Sequence, residues 1–330
     1  MEAQPAAELP AGSDWQYEPK WDGFRCLAFR DHNRLELMSK AAKPLTRYFP
    51  ELAASLSGLK AQQFVLDGEI VIAENGTLSF DALLMRIHPA ASRIKKLSEA
   101  TPSTFIVFDL LVDEEGESLV KIPLQQRRQK LEQFAKRYFQ KHPSIRLSPV
   151  TTELPVARKW FHMGVALDGV VAKRRDLPYQ SGERTGMKKI KKERTADCVV
   201  GGFRYLEGKP LVGSLLLGLY DKEGKLDHVG FTSSIQQKDR PALTKRLKAL
   251  IKPPGFTGKA PGGPSRWSTK RSTEWEPLDP TLVVEVGFDH FTGGRFRHGT
   301  KFLRWRPEKT PEQCTVEQVR RENQSALNLL

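Results

Sequence analysis

Glu18-Pro19-Lys20-Trp21-Asp22-Gly23-Phe24-Arg25 sets one lysine between two carboxylates, beside a glycine and an arginine. A primary amine is a useful nucleophile where its surroundings supply the neutral form and a cation receives the electrophile. Alone, Lys20 reads equally as an ordinary surface lysine, and Asp22-Gly23 as a turn. The residues that follow, in order, give the string its weight: Ser39-Lys40, then Asp67-Gly68-Glu69-Ile70-Val71, then Phe105-Ile106-Val107-Phe108-Asp109-Leu110-Leu111. After these come Asp168-Gly169-Val170-Val171-Ala172-Lys173 and Arg184-Thr185-Gly186-Met187-Lys188-Lys189-Ile190-Lys191. The residues alone leave a plainer reading at each point. Phe108 is a strand-core ring, Glu69 and Asp168 are turn carboxylates, and Lys188 to Arg194 is a solvated basic face.

The 330 residues, 39% of them hydrophobic, suffice for one large or two ordinary domains. A net charge of +14 predicts attraction to polyanions, nucleic acid before anionic membrane. The chain has no apolar run of spanning length and no signal-peptide order at its start, so no membrane partner is expected. Cys26, Cys198 and Cys314 form no zinc pattern or disulfide framework, which predicts a reduced, cytoplasmic setting.

Residues 1–13 read as a loose lead-in, with order beginning near Trp15. Phe24 to Phe29 and Leu35-Leu37 flank a turn and predict a hairpin; Leu45, Tyr48, Phe49, Leu52 and Leu56 recur at helical spacing. One buried strand is expected from 64–66 and 70–72 around Asp67-Gly68-Glu69, further strands at 104–111 and at 165–173, and a helix from Leu124 to Tyr138. This alternation predicts an α+β domain over 1–195. Strands then dominate: 198–205, 211–220, 226–232 and 281–288, with one helix bearing Leu243, Leu247, Leu250 and Ile251 and a Pro/Gly-rich loop over 252–268. Residues 196–330 therefore suit a small Greek-key β-barrel of the OB type.

The ordered motifs resemble those of the covalent nucleotidyltransferase superfamily, whose members hold a nucleotide on a lysine. Within it the chain is most similar to bacterial ATP-dependent DNA ligases of the two-domain LigC-like type. Leu45-Thr46-Arg47-Tyr48-Phe49-Pro50-Glu51-Leu52 and the segment from Arg295 to Lys309 strengthen that choice. The likeness runs from Trp15 to Lys309. It implies an adenylation domain (a nucleotidyltransferase domain, ATP-grasp-like) followed by an OB-fold domain. ATP would be the AMP donor, Mg²⁺ or Mn²⁺ the ion, and nicked double-stranded DNA the substrate. It also implies a monomer and a place in DNA repair alongside repair proteins.

Carried onto this sequence, the likeness makes Lys20 the residue that takes AMP, with Lys189 and Lys191 favouring its neutral amine. Asp22, Glu69 and Asp168 would lie at the metal, and Glu69 is alternatively a ribose ligand. Phe108 would stack on adenine, and Glu18 would fix the adenine edge. Arg25 and Lys40 would take phosphate; Arg184, Lys189 and Lys191 would hold the triphosphate. Arg304, Arg306 and Lys309 would close over the pyrophosphate, and the basic segments 252–268 and 295–301 would touch the DNA backbone. The chain departs from the family pattern with Lys40 for arginine, Ala42 for glycine, Asp168 for glutamate, Met187 for tryptophan and Glu308 for aspartate. With no DNA-encircling domain ahead of the lysine motif, grip on a nick is expected to rest on two domains. The rivals are an RNA ligase or capping-type nucleotidyltransferase, and a nucleic-acid-binding scaffold without catalysis. NAD as donor is disfavoured by the lack of a four-cysteine zinc site.

Overall fold

The computed structural model describes residues 2–74, 76–139, 142–162, 167–191, 193–262, 274–297, 299–319 and 329. The chain divides into two compact units, Met1–Lys192 with Glu322–Leu330, and Glu193–Arg321. The junction follows residue 192, where the sequence reading sets it after 195.

In chain order the first unit carries β1 (Gln4–Pro5), β2 (Trp15–Pro19), β3 (Phe24–Asp31), β4 (Arg34–Ser39), α1 (Pro50–Ser57), β5 (Gln63–Glu74) and β6 (Thr77–Leu78). There follow α2 (Phe80–Arg86), α3 (Ala91–Ala100), β7 (Ser103–Val112), α4 (Leu124–Tyr138), β8 (Ile145–Leu147), α5 (Leu154–His162), β9 (Val170–Arg174) and β10 (Met187–Ile190). Two sheets result, ordered β4-β3-β5-β7-β8 and β1-β10-β9-β2. Leu52, Leu56, Phe64, Leu66, Phe105, Leu131 and Phe134 belong to the larger core, where α1 and α4 cover one face of the first sheet. Val71 and Ile106, from β5 and β7, pack instead with Tyr17, Val170, Ala172 and Ile190 of the second sheet. The two sheets thus share a core.

Several expectations change, among them the loose lead-in, where Gln4–Pro5 forms β1. Asp67-Gly68-Glu69 is no turn but the middle of β5. Gly68 is needed there because a Cβ would lie 2.6 Å from the Ile106 carbonyl and 2.6 Å from the Phe105 ring. The strand expected over 165–173 begins at Val170; its residues 165 and 166 lie outside the described residues.

The second unit carries β11 (Arg194–Leu206), β12 (Lys209–Tyr220), β13 (Leu226–Thr232), α6 (Arg240–Lys248), β14 (Glu276–Pro277), β15 (Val283–Phe288), β16 (Phe291–Thr292), β17 (Arg295–Phe296) and β18 (Lys301–Trp305). The main strands run β13-β12-β11-β15-β18. A parallel bridge between Thr232 and Thr300 joins the outer strands, with the Thr300 N–H 3.1 Å from the Phe231 carbonyl. The sheet therefore curls shut, with α6 between its third and fourth strands, which is the OB arrangement. Bends come from bulges; at one of them, beside Gly201, a Cβ would stand 2.6 Å from the Phe256 ring. The α6 helix stops at Lys248, so Leu250 and Ile251 do not share its face as expected; Pro253 and Pro254 bar its continuation. The 252–268 loop is described only as far as 262, and His298 in the 295–301 segment also lies outside the described residues.

Within this barrel His228 is 5% exposed. Arg295 Nη2 donates to its Nδ1 at 3.1 Å, and its Nε2 has no partner among the described residues. Burial first, then Arg295 and Arg204, press its pKa down to about 3 from 6.5. The folded ring stays neutral while the unfolded ring protonates. Stability is therefore present above the unfolded pKa and falls as pH drops, by up to about 1.4 kcal/mol per pH unit. His228→Gln is expected to flatten the acid limb of stability measured by urea unfolding between about pH 7 and about pH 4. An unchanged slope would refute this.

Candidate active site

The opening octapeptide links the two sheets of the first unit. Pro19 ends β2, yet the ladder continues one step: the Lys20 N–H donates to the Gly169 carbonyl at 2.9 Å, and the Asp168 N–H to the Lys20 carbonyl at 3.0 Å. Lys20 is thereby fixed against Asp168 by the backbone. Trp21 turns inward, 4% exposed, and donates to Ser148 Oγ at 3.0 Å. Gly23 then passes so close to β5 that a Cβ would stand 2.2 Å from the Ile70 carbonyl. Phe24 enters β3 and the other sheet.

The Lys20 ammonium contacts Asp168, which also takes Lys191 at 3.1 Å. Burial pulls the Lys20 pKa down, but Asp168, Glu69 and Asp22 outweigh it and the net shift is upward. The expectation that cations favour a neutral amine is thus corrected: the carboxylates dominate and keep Lys20 protonated. It is Lys189 that is depressed, by burial and then by Lys191, Lys20 and Lys40. Glu69 is pushed up to about 8, mainly by burial, with Asp22 and Asp67 adding to it against Lys20 and Arg25.

A cavity of about 340 Å³ opens here, a size suited to a small ligand. Of the residues singled out from sequence, Glu18, Lys20, Arg25, Lys40, Glu69, Phe108, Arg184 and Lys189 line it. Phe108 reaches it through a bulge: Asp67 pairs with Asp109 and Gly68 with Val107, leaving Phe108 as the extra residue. Arg127 locks the neighbouring Asp109 with bonds of 2.9 and 3.0 Å. Two cations approach the Phe108 ring, Lys173 Nζ at 4.4 Å and Arg25 Cζ at 5.6 Å from its centroid.

Lys173 was not among the sequence candidates. It is 4% exposed, bonds Glu18 at 2.7 Å and lines the cavity. Glu18 also accepts from Gln16 at 3.0 Å. Arg25 spends its fork inside the protein, with Nε and Nη2 on Asp67 at 3.0 and 2.6 Å and Nη2 on Tyr179 Oη at 3.2 Å. Lys40 and Arg184 both bind Glu2, at 2.9 and 3.0 Å. Ala42 has φ of 53°, which explains why a glycine suits that turn.

The remaining cations belong to the second unit and gather on carboxylates of their own. Arg304 bonds Glu285 at 2.7 Å. Arg306 bonds Asp197 at 2.9 Å, Glu285 at 3.3 Å and Glu308 at 2.5 Å, and Lys309 bonds Asp197 at 2.5 Å. Asp197, 7% exposed, organises this cluster and carried no sequence signal.

Among the described residues no group of three or more His, Cys, Asp or Glu forms a ready-made ion cage. A magnesium-type ion needs less, since one or two carboxylates plus substrate phosphates commonly hold it. Glu69, crowded by Asp22 and Asp67, is a carboxylate that a cation would relieve. Asp22, Glu69 and Asp168 all act electrostatically on Lys20, but the three do not gather into such a cage.

Comparison with known proteins agrees with this geometry. The family "ATP dependent DNA ligase domain" matches residues 3–191, and "ATP dependent DNA ligase C terminal region" matches 208–309. DNA ligase C2 of Mycolicibacterium smegmatis is 43% identical, over 94% of this chain and 91% of that protein. The multifunctional non-homologous end joining protein LigD of Mycobacterium bovis is 31% identical over 92% of this chain, which spans 38% of that protein's length. A solved Lig E DNA ligase superposes with a TM-score of 0.56, covering 93% of this chain and 100% of that one; at 15% identity it speaks for the fold alone. The ordered motifs, the charged cavity around Lys20 and the two matched regions together make this chain a member of the ATP-dependent DNA ligase family.

Proposed function

We propose that Lys20 carries AMP between ATP and a nick in duplex DNA. The contact of Lys20 with Asp168, beside a cavity that Lys20 lines together with Phe108 and Lys173, is the observation that supports this most. Lys20 Nζ attacks the α-phosphorus. The ammonium first gives one proton to solvent; an N–P bond then forms, the bond to the bridging oxygen breaks, pyrophosphate leaves, and the second proton passes to Asp168. The 5′-phosphate oxygen of the nick then attacks the same phosphorus, the N–P bond breaks and the amine is reprotonated. In the last step the 3′-hydroxyl attacks the 5′-phosphorus, loses its proton and expels AMP. The protein's part is alignment and charge compensation, which govern such transfers.

Phe108 stacks on adenine, and Glu18 with Lys173 reads its edge. Glu69 addresses the ribose or the ion, Arg25 takes phosphate by giving up its Asp67 pairing, and Lys40, Arg184, Lys189 and Lys191 hold the phosphate tail. Asp22, Glu69 and Asp168 hold the divalent ion, which when bound supplies positive charge to the phosphate oxygens. Arg304, Arg306 and Lys309 serve the pyrophosphate-forming step. The protein works in the cytoplasm as a monomer, in DNA repair beside other repair proteins. The likeness to the LigD protein supports the repair role, and no helix among the described residues is long and apolar enough to cross a membrane.

Incubation of the protein with a nicked DNA duplex, Mg²⁺ and ATP is expected to join the strands, whereas GTP or NAD is not. Preferential joining of nicked RNA, or covalent labelling by GTP, would favour the RNA-ligase or capping rival. Binding of nicked duplex with no covalent adenylate would favour the scaffold.

A further inference from the structure

The segment that reads as a loose lead-in is docked on the pocket. Gln4 and Pro5 form β1, parallel to β10 opposite Lys188 and Lys189. The Glu2 N–H donates to the Glu183 carbonyl at 2.9 Å and the Ala6 N–H to the Lys189 carbonyl at 3.0 Å. Ala6 and Leu9 pack on the core shared by the two sheets, and Tyr17 Oη donates to the Pro10 carbonyl at 2.6 Å. This anchoring delivers the Glu2 carboxylate to the cavity wall, with Oε1 2.9 Å from Lys40 Nζ and Oε2 3.0 Å from Arg184 Nε. One anion, its two oxygens split between an ammonium and a guanidinium, occupies the donors that a phosphate would use.

We infer that Glu2 is a resident competitor for substrate phosphate, displaced when phosphate engages Lys40 and Arg184. The inference rests on the proposed reading of this cavity as the adenylation site. The phosphate comes either from the triphosphate of ATP or from the 5′ end of the nick, and the assay separates the two. In one arm, covalent labelling of wild type, Glu2→Gln and Glu8→Gln is followed against ATP concentration. In the other, pre-adenylated protein seals nicked duplex at increasing DNA concentration. Glu8 is exposed on the same segment and serves as the control for bulk charge.

Glu2→Gln is expected to lower the half-saturating concentration about three- to tenfold in at least one arm, the size given by releasing two exposed ion pairs. The rate at saturation should stay within about twofold, since no reacting atom is touched. A shift confined to the ATP arm identifies the triphosphate, and one confined to the DNA arm identifies the nick. Equal values for Glu2→Gln and wild type in both arms, or an equal shift with Glu8→Gln, overturns the inference. A wild-type protein that never labels overturns instead the function on which it rests.

Discussion

Lys20→Arg is expected to abolish covalent labelling by α-labelled ATP while leaving the protein folded. Arginine keeps the positive charge, and with it the pairing that holds Asp168. Its guanidinium does not deprotonate in proteins, so no neutral nitrogen is available to attack phosphorus. Removing a nucleophile outright costs more than about 10⁴-fold, and labelling should fall at least that far. Sealing of a nick supplied already adenylated needs no N–P bond, so the variant should retain it. The amine's own titration gives a second readout. Lys20 is held above the ordinary lysine range, so its neutral fraction is small at neutral pH and grows about tenfold per pH unit. Wild-type labelling should therefore rise from about pH 6 to about pH 9, and Asp168→Asn, which removes the proton acceptor, should lower labelling at every pH while moving the rise toward lower pH. A flat wild-type profile would place the proton loss elsewhere; a Lys20→Arg protein that labels would remove Lys20 from the mechanism.

Sequence revealed the lysine string, the hairpin β3–β4, helix α4 and the barrel meander because each is a local pattern of spacing and turn residues. What it hid depends on register between distant strands. Lys173 reaches the pocket only because β9 pairs it with Gln16, bringing it to Glu18 and over Phe108 of the other sheet. Phe108 points there because a bulge makes it the unpaired residue of β7, and a bulge leaves no mark in an apolar run. The Asp67 partner of Arg25 lies 42 residues away on β5, where an Asp-Gly pair suggests a turn rather than a strand interior. From sequence, cations are expected to lower the Lys20 pKa; its shift is upward instead, since three carboxylates converge on it only in the fold. Short apolar-poor segments fare worst: β1 is ordered by backbone pairing with β10, which composition does not encode.

Gly169→Ala should damage both stability and adenylation, through the backbone. Gly169 has φ of 137°, a conformation that an L side chain rarely adopts, and a Cβ there would stand 2.0 Å from the Ile190 carbonyl and 3.1 Å from Lys191 Cα. Neither neighbour is a flexible side-chain tip, so β9 and the end of β10 must separate. The torsional strain costs about 1–2 kcal/mol and the overpacking about 1–3 kcal/mol, together about 2–5 kcal/mol. For a unit of this size that lowers the melting temperature by about 5–15 °C. The displaced strand also carries the bond from the Lys20 N–H to the Gly169 carbonyl and leads from Asp168, while the end it pushes away carries Lys189 and Lys191. A misplacement of about 1 Å costs roughly a hundredfold in rate, so labelling should fall by at least that factor even well below the new melting point. Gly182→Ala is the matched control, also at positive φ (78°) but with no atom within 4 Å of the added carbon. It should show the torsional cost alone and near-normal labelling. If Gly169→Ala melts and labels like Gly182→Ala, the close packing of β9 on β10 does not position the amine.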